Sequence, residues 1–232
     1  MKVVLLSCSP DADRLVASAV RVRLSECSAE RSYSELSEDR IEKIVSGVLA
    51  GGDLSPLEHA VYTFSVDGVS RIATHQLARH RMASFSQRSQ GEARLGREAE
   101  FVMPDRIRED DVLRPLFEKL SADSMELYET MLRRGISRED ARYALPASFA
   151  SGLIMTMNAR ELLRFFSVRC CKKSPWEIRS LAWKMLREVM KASPAIFRNA
   201  GPECVSSRRC PYEDMKCFGK MRRVWETEEF DR

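Results

Sequence analysis

The feature that most constrains the fold is an alternation between long segments with a helical apolar period and short segments rich in β-branched residues. Across residues 41–49, apolar side chains recur at i, i+3, i+4, i+7 and i+8, which is one face of an amphipathic helix that Gly51 and Gly52 end. Residues 61–66 are β-branched and aromatic, as in a strand. The alternation predicts an α+β (mixed α/β) fold.

The same patterns give an expectation for each segment. We predict strands at 3–6, 61–66, 100–104 and 149–157, a turn at 67–68, and helices at 13–24, 38–50, 69–78, 111–134, 138–142, 159–168 and from 175 onward. A loop is expected after residue 78 through 96, and irregular chain is expected beyond 194. With no repeat and no long linker, residues 1–232 are predicted to form a single domain with an irregular tail at 202–232.

Composition narrows the class of protein. Hydrophobic residues make up 44% of the chain and charged residues 31%, and no apolar run approaches the roughly 20 residues that cross a bilayer. A net charge of +4 suits small anions better than a nucleic-acid backbone. Seven cysteines without a secretory signal indicate reduced thiols, so we expect a cytoplasmic location.

An arginine-rich stretch is the first candidate site. Residues 76–97 carry five arginines and one acidic side chain, Glu92, with serines and glutamines between them. Guanidinium groups match phosphate oxygens, while hydroxyl and amide groups bind neutral polar edges. The stretch predicts a site for an anionic, oxygen-rich ligand, and a solvated basic surface is the alternative. Arg142, Arg160, Arg164 and Arg169 would join this site if the fold brings them together.

Several common site types are excluded. The ten glycines form neither a dinucleotide-binding fingerprint nor a phosphate loop. The three histidines lack the spacing of a helical zinc pair. Cys204, Cys210 and Cys217 lack the two-residue spacing of a zinc ribbon, so we expect free thiols and no metal site, and their role stays open.

A series of motifs in one order resembles the flavin-dependent thymidylate synthases, the ThyX family. The chain has an Arg-His-Arg triplet followed after seven residues by Ser89. The other matching segments are Leu57-Glu58-His59-Ala60, Gly68-Val69-Ser70-Arg71, Thr156-Met157-Asn158-Ala159-Arg160-Glu161-Leu162, Phe165-Phe166, Arg169-Cys170-Cys171, Trp176-Glu177-Ile178-Arg179 and Asn199-Ala200-Gly201-Pro202. Together they cover roughly residues 36 to 217. The resemblance implies the ThyX-like fold, a central twisted, mostly antiparallel sheet flanked by helices.

The resemblance also implies ligand sites. The FAD-binding side chains would be Ser55, Arg79, His80, Arg81, Gln87, Asn158, Arg160 and Arg164. The dUMP-binding side chains would be Gln76, Arg79, Gln87, Arg88, Ser89, Gln90, Arg142 and Arg169. Arg169 would be catalytic, because its cation would stabilise negative charge that develops on the pyrimidine. No cysteine nucleophile is implied, so Cys170 and Cys171 are predicted to be packing residues.

The implied reaction is reductive methylation of dUMP to dTMP. Methylenetetrahydrofolate would supply the carbon, and NADPH would reduce the FAD. The resemblance further implies a homotetramer with active sites shared between subunits, so that Arg142 and Arg169 act across an interface. No membrane partner is expected, and a nucleic-acid partner is not favoured.

Two departures from the family pattern concern the nucleotide. Relatives have Gly-His where this chain has Gly52-Asp53, and they have a phosphate-binding arginine where this chain has Gly91. Arg94 is a candidate replacement. A lost arginine–phosphate contact is worth about 1.5 to 3 kcal/mol, or one to two decades in affinity. Arg164, Lys173 and Pro175 also differ from the usual residues, while the flavin positions are better preserved.

Two alternatives follow from these departures. One is a divergent flavin-dependent methylase or reductase that acts on another pyrimidine nucleotide, such as UMP. The other is a non-catalytic nucleotide- or RNA-binding paralogue, for which binding should depend steeply on salt.

Overall fold

A computed structural model of the chain describes residues 1–91, 100–207, 209–214 and 217. The strands are β1 (Lys2–Cys8), β2 (Val61–Ser70), β3 (Ala83–Gln87) and β4 (Ala150–Asn158). The helices are α1 (Ala12–Leu24), α2 (Ala29–Ser34), α3 (Glu38–Gly51), α4 (Arg71–Leu77), α5 (Asp105–Arg108), α6 (Leu113–Arg133), α7 (Arg138–Ala141), α8 (Ala159–Arg169), α9 (Trp176–Ala192), α10 (Pro194–Phe197) and α11 (Glu203–Ser206). Short 3₁₀ helices occupy Ser55–His59 and Arg142–Ala144.

The strands form one antiparallel sheet in the order β1-β2-β4-β3. The two long strands, β2 and β4, are therefore central, and helices make up most of the remaining described chain. This arrangement confirms the predicted mixed α and β fold with a central sheet. Among the described residues, we find no helix that is both long and apolar enough to cross a membrane.

The chain divides into two compact units. The first unit comprises Met1–Lys2, Val66–Arg79 and the described residues of 85–154, and the second comprises Val3–Ser65, His80–Ser84 and the described residues from Met155 onward. Both β2 and β4 contribute residues to each unit. The predicted single-domain organisation stays a prediction.

Aromatic rings form the centre of the second unit. Tyr62 and Phe197 meet edge to face with ring centroids 5.3 Å apart, and Phe166 packs on Phe197 at 6.1 Å and on Phe165 at 5.6 Å. The Tyr62 hydroxyl donates to Ser193 Oγ at 2.7 Å, and both side chains are fully buried. The buried Tyr62 hydroxyl is thus hydrogen-bonded, which offsets the cost of removing it from water.

Helices predicted from apolar spacing are present in both units. In the second unit, α3 buries Ile41, Val45 and Val48, which belong to its predicted stripe. In the first unit, α6 is confirmed as the long helix, yet it buries only Tyr128 and two serines. Its leucines at 113, 116, 120 and 127 are about half exposed, at 47%, 59%, 60% and 52%. The spacing therefore predicted the helix but not which face is covered.

The predicted turn at 67–68 is wrong. β2 continues through these residues to Ser70, and Gly68 sits within the strand at a φ of 70°. A Cβ at this position would lie 3.2 Å from the Met1 nitrogen. The glycine accordingly supplies a left-handed backbone and room for the first residue, and it does not reverse the chain.

Other segments also differ from expectation. Residues 83–87 form β3, although a loop was predicted, and the predicted strand at 100–104 is reduced to an isolated bridge from Phe101 to Phe149. The unpredicted α2 is a helix of six residues, and α10 and α11 lie in chain expected to be irregular. Ser137 caps α7 as predicted, because its side chain accepts from the Asp140 amide.

Candidate functional site

A cavity of about 930 Å³ is the first candidate site, and all of its lining residues belong to the second unit. Ligand pockets usually hold roughly 300 to 1,000 Å³, so this volume can take a large organic molecule. Helix α3, the start of α8 and residues 195–201 supply most of its lining. Three predicted flavin-binding residues, Asn158, Arg160 and Arg164, are among the lining side chains.

The junction between β4 and α8 sets the position of these three residues. The strand passes into the helix without an intervening loop, and the Ala159 amide donates to the Ala60 carbonyl at 2.8 Å. Asn158 is the N-cap, and its Oδ1 accepts from the Glu161 amide at 2.9 Å. This cap satisfies one of the amides that a helix start leaves open, and the Asn158 Nδ2 group remains a donor. Arg160 and Arg164 then share one helix face at i, i+4.

Each cavity arginine pairs with a carboxylate. Arg160 binds Glu58, and Arg198 binds Glu42. Arg164 holds Glu161 with two hydrogen bonds, Nε to Oε2 at 2.9 Å and Nη2 to Oε1 at 3.1 Å. All six side chains belong to the cavity lining. The cavity is thus rich in guanidinium donors that an anion with several oxygens could recruit.

A buried histidine lies behind this lining. His80 is 4% exposed and Glu161 is 5% exposed, and the His80 Nδ1 atom is 3.1 Å from Glu161 Oε1. On the other side, Arg169 Nε donates to His80 Nε2 at 3.0 Å. Burial lowers the pKa of His80 below its ordinary value, and the charges of Arg169 and Arg164 lower it further, against the hydrogen bond to Glu161. Arg169, His80, Glu161 and Arg164 thus form one continuous polar chain.

Ser55, a further predicted flavin residue, belongs to a separate polar group. Its hydroxyl donates to Asp53 Oδ1 at 2.7 Å, and Arg23 Nη1 lies 2.8 Å from Asp53 Oδ2. The Ser55 hydroxyl, followed by the Arg23 guanidinium, lowers the pKa of Asp53 to about 2. The residue that departs from the family pattern, Asp53, therefore organises this exposed turn. Arg81 is exposed, and its neighbour Met82 lines the cavity.

Predicted nucleotide-binding residues of the first unit gather at two places. Gln87 Nε2 donates to Thr74 Oγ1 at 3.1 Å and to Ser151 Oγ at 3.2 Å, which fixes the amide on β3. Arg88 follows it, with its backbone amide on the Gly152 carbonyl and its side chain 4.0 Å from Asp67.

The second place is around Arg142. Its Nε donates to the Glu139 carbonyl, and a Cβ at Gly91 would lie 3.7 Å from its Nη1 atom. The Ser89 hydroxyl accepts from the Gly91 amide at 3.3 Å, so Ser89 and Gly91 both lie near Arg142. Gln76 and Gln90 are partly buried, and Arg79 is exposed. Arg94 lies outside the described residues.

The cysteines are all unpaired by disulfides. Cys170 is fully buried, in agreement with its predicted packing role. Four others, Cys171, Cys204, Cys210 and Cys217, line a small cavity of about 50 Å³ in the second unit. Burial raises the pKa of Cys204 to about 11. Across the described part of the chain, no group of three or more His, Cys, Asp or Glu side chains is arranged to hold a metal ion.

Comparisons with known proteins identify the family of the chain. A family model described as thymidylate synthase complementing protein matches residues 4–195. The chain is 42% identical over 205 residues to the flavin-dependent thymidylate synthase of Pyrococcus furiosus, covering 84% of each chain. It is 38% identical over 233 residues to that of Clostridium tetani, covering 94% of this chain and 93% of the relative.

A solved structure extends the comparison. The UMP/dUMP methylase PolB of Streptomyces cacaoi, bound with 5-Br dUMP, is similar with a TM-score of 0.76 and 25% identity, covering 85% of this chain and 93% of PolB. The sequence matches and the fold agree on a class of nucleotide-methylating enzymes. The chain belongs to the flavin-dependent thymidylate synthase family.

The cavity includes residues that sequence reasoning did not assign. Arg198, Glu42 and Ser46 line it although no motif marked their side chains. A signal for Arg198 was available, because it directly precedes the family segment that starts at Asn199. No comparable signal exists for Glu42 and Ser46, since both read as the polar face of an ordinary amphipathic helix.

Proposed function

We propose that the protein is a flavin-dependent thymidylate synthase that methylates dUMP to dTMP. The observation that carries this function is the 930 Å³ cavity whose lining contains Asn158, Arg160 and Arg164, in a chain that belongs to this family. A flavin dinucleotide needs a long cleft with cations for its diphosphate and neutral donors for its rings. The cavity offers both.

The side chains present fit FAD. Arg160, Arg164 and Arg198 would hold the diphosphate, and the Asn158 amide would be a neutral hydrogen-bond donor next to it. We retain Ser55, Arg79, His80, Arg81 and Gln87 as further flavin-binding residues on the strength of the family resemblance. The Ser55 hydroxyl is engaged by Asp53, so it would have to exchange that hydrogen bond for one to the cofactor.

We propose residues of the first unit as the nucleotide-binding set, and we retain Arg169 as a nucleotide-binding residue on the strength of the family resemblance. Arg142 is the phosphate-binding candidate, since its side chain is 40% exposed and lies beside Gly91. Gln87, held by Thr74 and Ser151, would bind the uracil edge. Gln76, Arg79, Arg88, Ser89 and Gln90 complete the proposed nucleotide set.

The protein's chemical contribution is orientation and charge. Bound FAD, reduced by NADPH, would supply the hydride, and methylenetetrahydrofolate would supply the carbon. Arg169 would stabilise negative charge on the pyrimidine as the C5 carbon becomes nucleophilic. Before ligands bind, the buried His80 holds the Arg169 guanidinium through its Nε2 atom, and the apolar part of the cavity lining would limit access of water to bound ligands.

UMP is the second candidate substrate. PolB, the similar solved structure, is a UMP/dUMP methylase, and Gly91 replaces the family's phosphate-binding arginine in this chain. Because UMP and dUMP carry the same phosphate, a weaker phosphate contact lowers the affinity for both nucleotides. Discrimination would then depend on the pocket around the sugar.

We also propose a homotetramer with shared active sites and a cytoplasmic location. The half-exposed leucines of α6 support subunit contacts, because such an apolar helix face is suited to burial against a second copy. The seven unpaired cysteines suit a reducing compartment. Light scattering after gel filtration should give four copies of the 26.5 kDa chain.

The direct test is flavin content followed by turnover. Purified protein should show the flavin absorbance bands, and titration with dUMP should perturb them. With methylenetetrahydrofolate and NADPH, the enzyme should release tritium from C5-labelled dUMP, and the same assay with C5-labelled UMP tests the second candidate. Tritium release from UMP without release from dUMP would replace the leading assignment.

A matched pair of variants localises the nucleotide site. Arg142→Gln should weaken dUMP binding by one to two decades while flavin absorbance is retained. Arg133→Gln, on the exposed face of α6, removes the same charge from the same unit and should leave binding unchanged. A colourless protein that ignores added FAD, or salt-sensitive RNA binding without turnover, would contradict the proposed function.

A further inference from the structure

The polar chain from the cavity to Arg169 contains one group that can change its hydrogen-bonding role. Arg164 binds Glu161 twice, Glu161 meets His80 at 3.1 Å, and His80 accepts from Arg169 at 3.0 Å. Arginine only donates hydrogen bonds, and the Glu161 carboxylate only accepts them. Imidazole alone in this chain can do either at its Nε2 atom.

The contacts define which nitrogen of His80 carries the proton. Because Arg169 donates to Nε2, that nitrogen presents its lone pair, and the imidazole is neutral with its proton on Nδ1. The Nδ1–H group then donates to Glu161 Oε1. The charged groups that face His80 are Arg169 and Glu161, with Arg164 beyond Glu161, and the ring of Phe165 packs against the imidazole at a centroid distance of 4.9 Å.

We propose that His80 is a positioning residue that holds Arg169 only while it is neutral, and that occupancy of the cavity by an anion controls this state through Arg164 and Glu161. An anion with several oxygens recruits Arg164, which lines the cavity and is 60% exposed at its side chain. Glu161 then loses the cation that balances its charge. The unbalanced carboxylate favours uptake of one solvent proton at His80 Nε2.

Proton uptake changes the contact with Arg169. A doubly protonated imidazole has N–H groups on both nitrogens, so Nε2 no longer accepts from Arg169 Nε. Two cations then face each other, and the Arg169 guanidinium is released from His80. The inference rests on the proposed function for the identity of the anion, the FAD diphosphate, and for the role of Arg169 at the pyrimidine. It makes cofactor binding a condition for the release of Arg169 from His80.

The test follows the protonation of His80 directly. The chain has three histidines, and His59 and His75 are exposed, so the variant His59→Gln/His75→Gln retains His80 as its one imidazole. Nitrogen-15 NMR of labelled histidine then reports both ring nitrogens across a pH titration. Without ligand, the spectrum should show the neutral Nδ1–H form at pH 7. Saturating inorganic pyrophosphate or FAD should raise the protonation midpoint by about one pH unit, a tenfold gain in proton affinity.

Two matched substitutions distinguish the coupling of the cavity to His80 through Arg164 and Glu161, which we call the relay, from a general charge effect. Arg164→Gln, made in the same background, should raise the His80 midpoint without any ligand and should abolish the further rise with pyrophosphate. Arg160→Gln removes a cation from the same cavity, but one that binds Glu58, and it should leave the midpoint unchanged. Equal shifts in the two variants, or no shift in either, would overturn the relay.

A turnover measurement tests the link to Arg169. In the otherwise native enzyme, Arg164→Gln should move the pH dependence of kcat for dUMP methylation to higher pH, with a smaller change in KM. The NMR arms need no turnover, so they distinguish this inference from the proposed function. A protein that shows the His80 shift but never methylates dUMP would contradict the proposed function and not the relay. An active enzyme whose His80 titrates identically with and without FAD would contradict the relay and not the proposed function.

Discussion

Substitutions at Asn158 can separate its structural role at the start of α8 from its proposed role in flavin binding. Its Oδ1 caps α8 by accepting from the Glu161 amide at 2.9 Å, and the same side chain lines the large cavity. Replacing an N-cap asparagine by alanine costs about 1 kcal/mol, with a range of roughly 0.5 to 2. For a chain of this length, 1 kcal/mol corresponds to about 2–4 °C in Tm. Asn158→Ala should therefore lower Tm by about that amount and weaken flavin binding.

Two other substitutions at the same position keep the cap. Asn158→Ser retains a neutral capping oxygen and removes only the amide donor, so stability should match the parent. Asn158→Asp also caps, and the positive helix start tolerates its charge, yet a carboxylate would face the proposed diphosphate. Two unit charges roughly 4 Å apart interact by about 4 kcal/mol at an effective dielectric constant near 20. If screening leaves a quarter of this energy, FAD affinity should fall roughly fivefold or more.

The assays are urea unfolding followed by circular dichroism, and quenching of flavin fluorescence on binding. The expected pattern is a stable Asn158→Asp variant that binds FAD poorly, beside an Asn158→Ser variant that binds it better. An Asn158→Asp variant with unchanged stability and undiminished FAD affinity would refute the placement of the diphosphate in this cavity. An Asn158→Ala variant with full stability would refute the capping argument.

Three further outcomes are expected. The pKa of Asp53 is lowered to about 2, so its ionised side chain stabilises the fold above the unfolded pKa near 4, and this contribution is lost as the pH falls toward 2. In acid-unfolding curves, the difference in stability between Asp53→Asn and the parent should therefore shrink as the pH falls from about 4 to about 2. Gly91→Arg should fold, because its Cβ would lie at an ordinary 3.7 Å from Arg142. In a flavin-absorbance titration it should bind dUMP one to two decades more tightly, and an unchanged affinity would contradict a phosphate near Arg142. Ser193→Ala should lower the free energy of unfolding in urea by about 1–3 kcal/mol, because it leaves the buried Tyr62 hydroxyl without its hydrogen-bond partner. Adding Tyr62→Phe should restore part of that free energy, whereas strictly additive losses would argue against the hydrogen bond.

The sequence predicted the elements whose apolar spacing is strong. The stripe of α9 and the short apolar run of β4 were located to within a few residues, because burial on one face imposes a period that can be read directly. Strand β3 was missed because its side chains alternate only between half-buried and exposed, and Phe85 is its one large apolar residue. Gly68 was read as a turn because glycine marks turns far more often than positive-φ strand positions.

The candidate site was predicted unevenly. Asn158, Arg160 and Arg164 were named from their motif, and the structure brings them to one cavity. Their carboxylate partners could not be predicted, since Glu58 lies 102 residues from Arg160 and the pairing depends on tertiary structure. The contact between His80 and Arg169 was likewise invisible, because it joins residues 89 apart in the chain.

The position of Met1 beside Gly68 has a practical consequence for protein production. The Met1 nitrogen lies 3.2 Å from where a Cβ on Gly68 would stand, which is closer than ordinary van der Waals contact. Met1 itself is exposed, so the restriction falls on position 68 and not on a purification tag fused ahead of Met1. Expression variants should therefore keep glycine at position 68, and Gly68→Ala should lower the yield of folded protein with or without a tag.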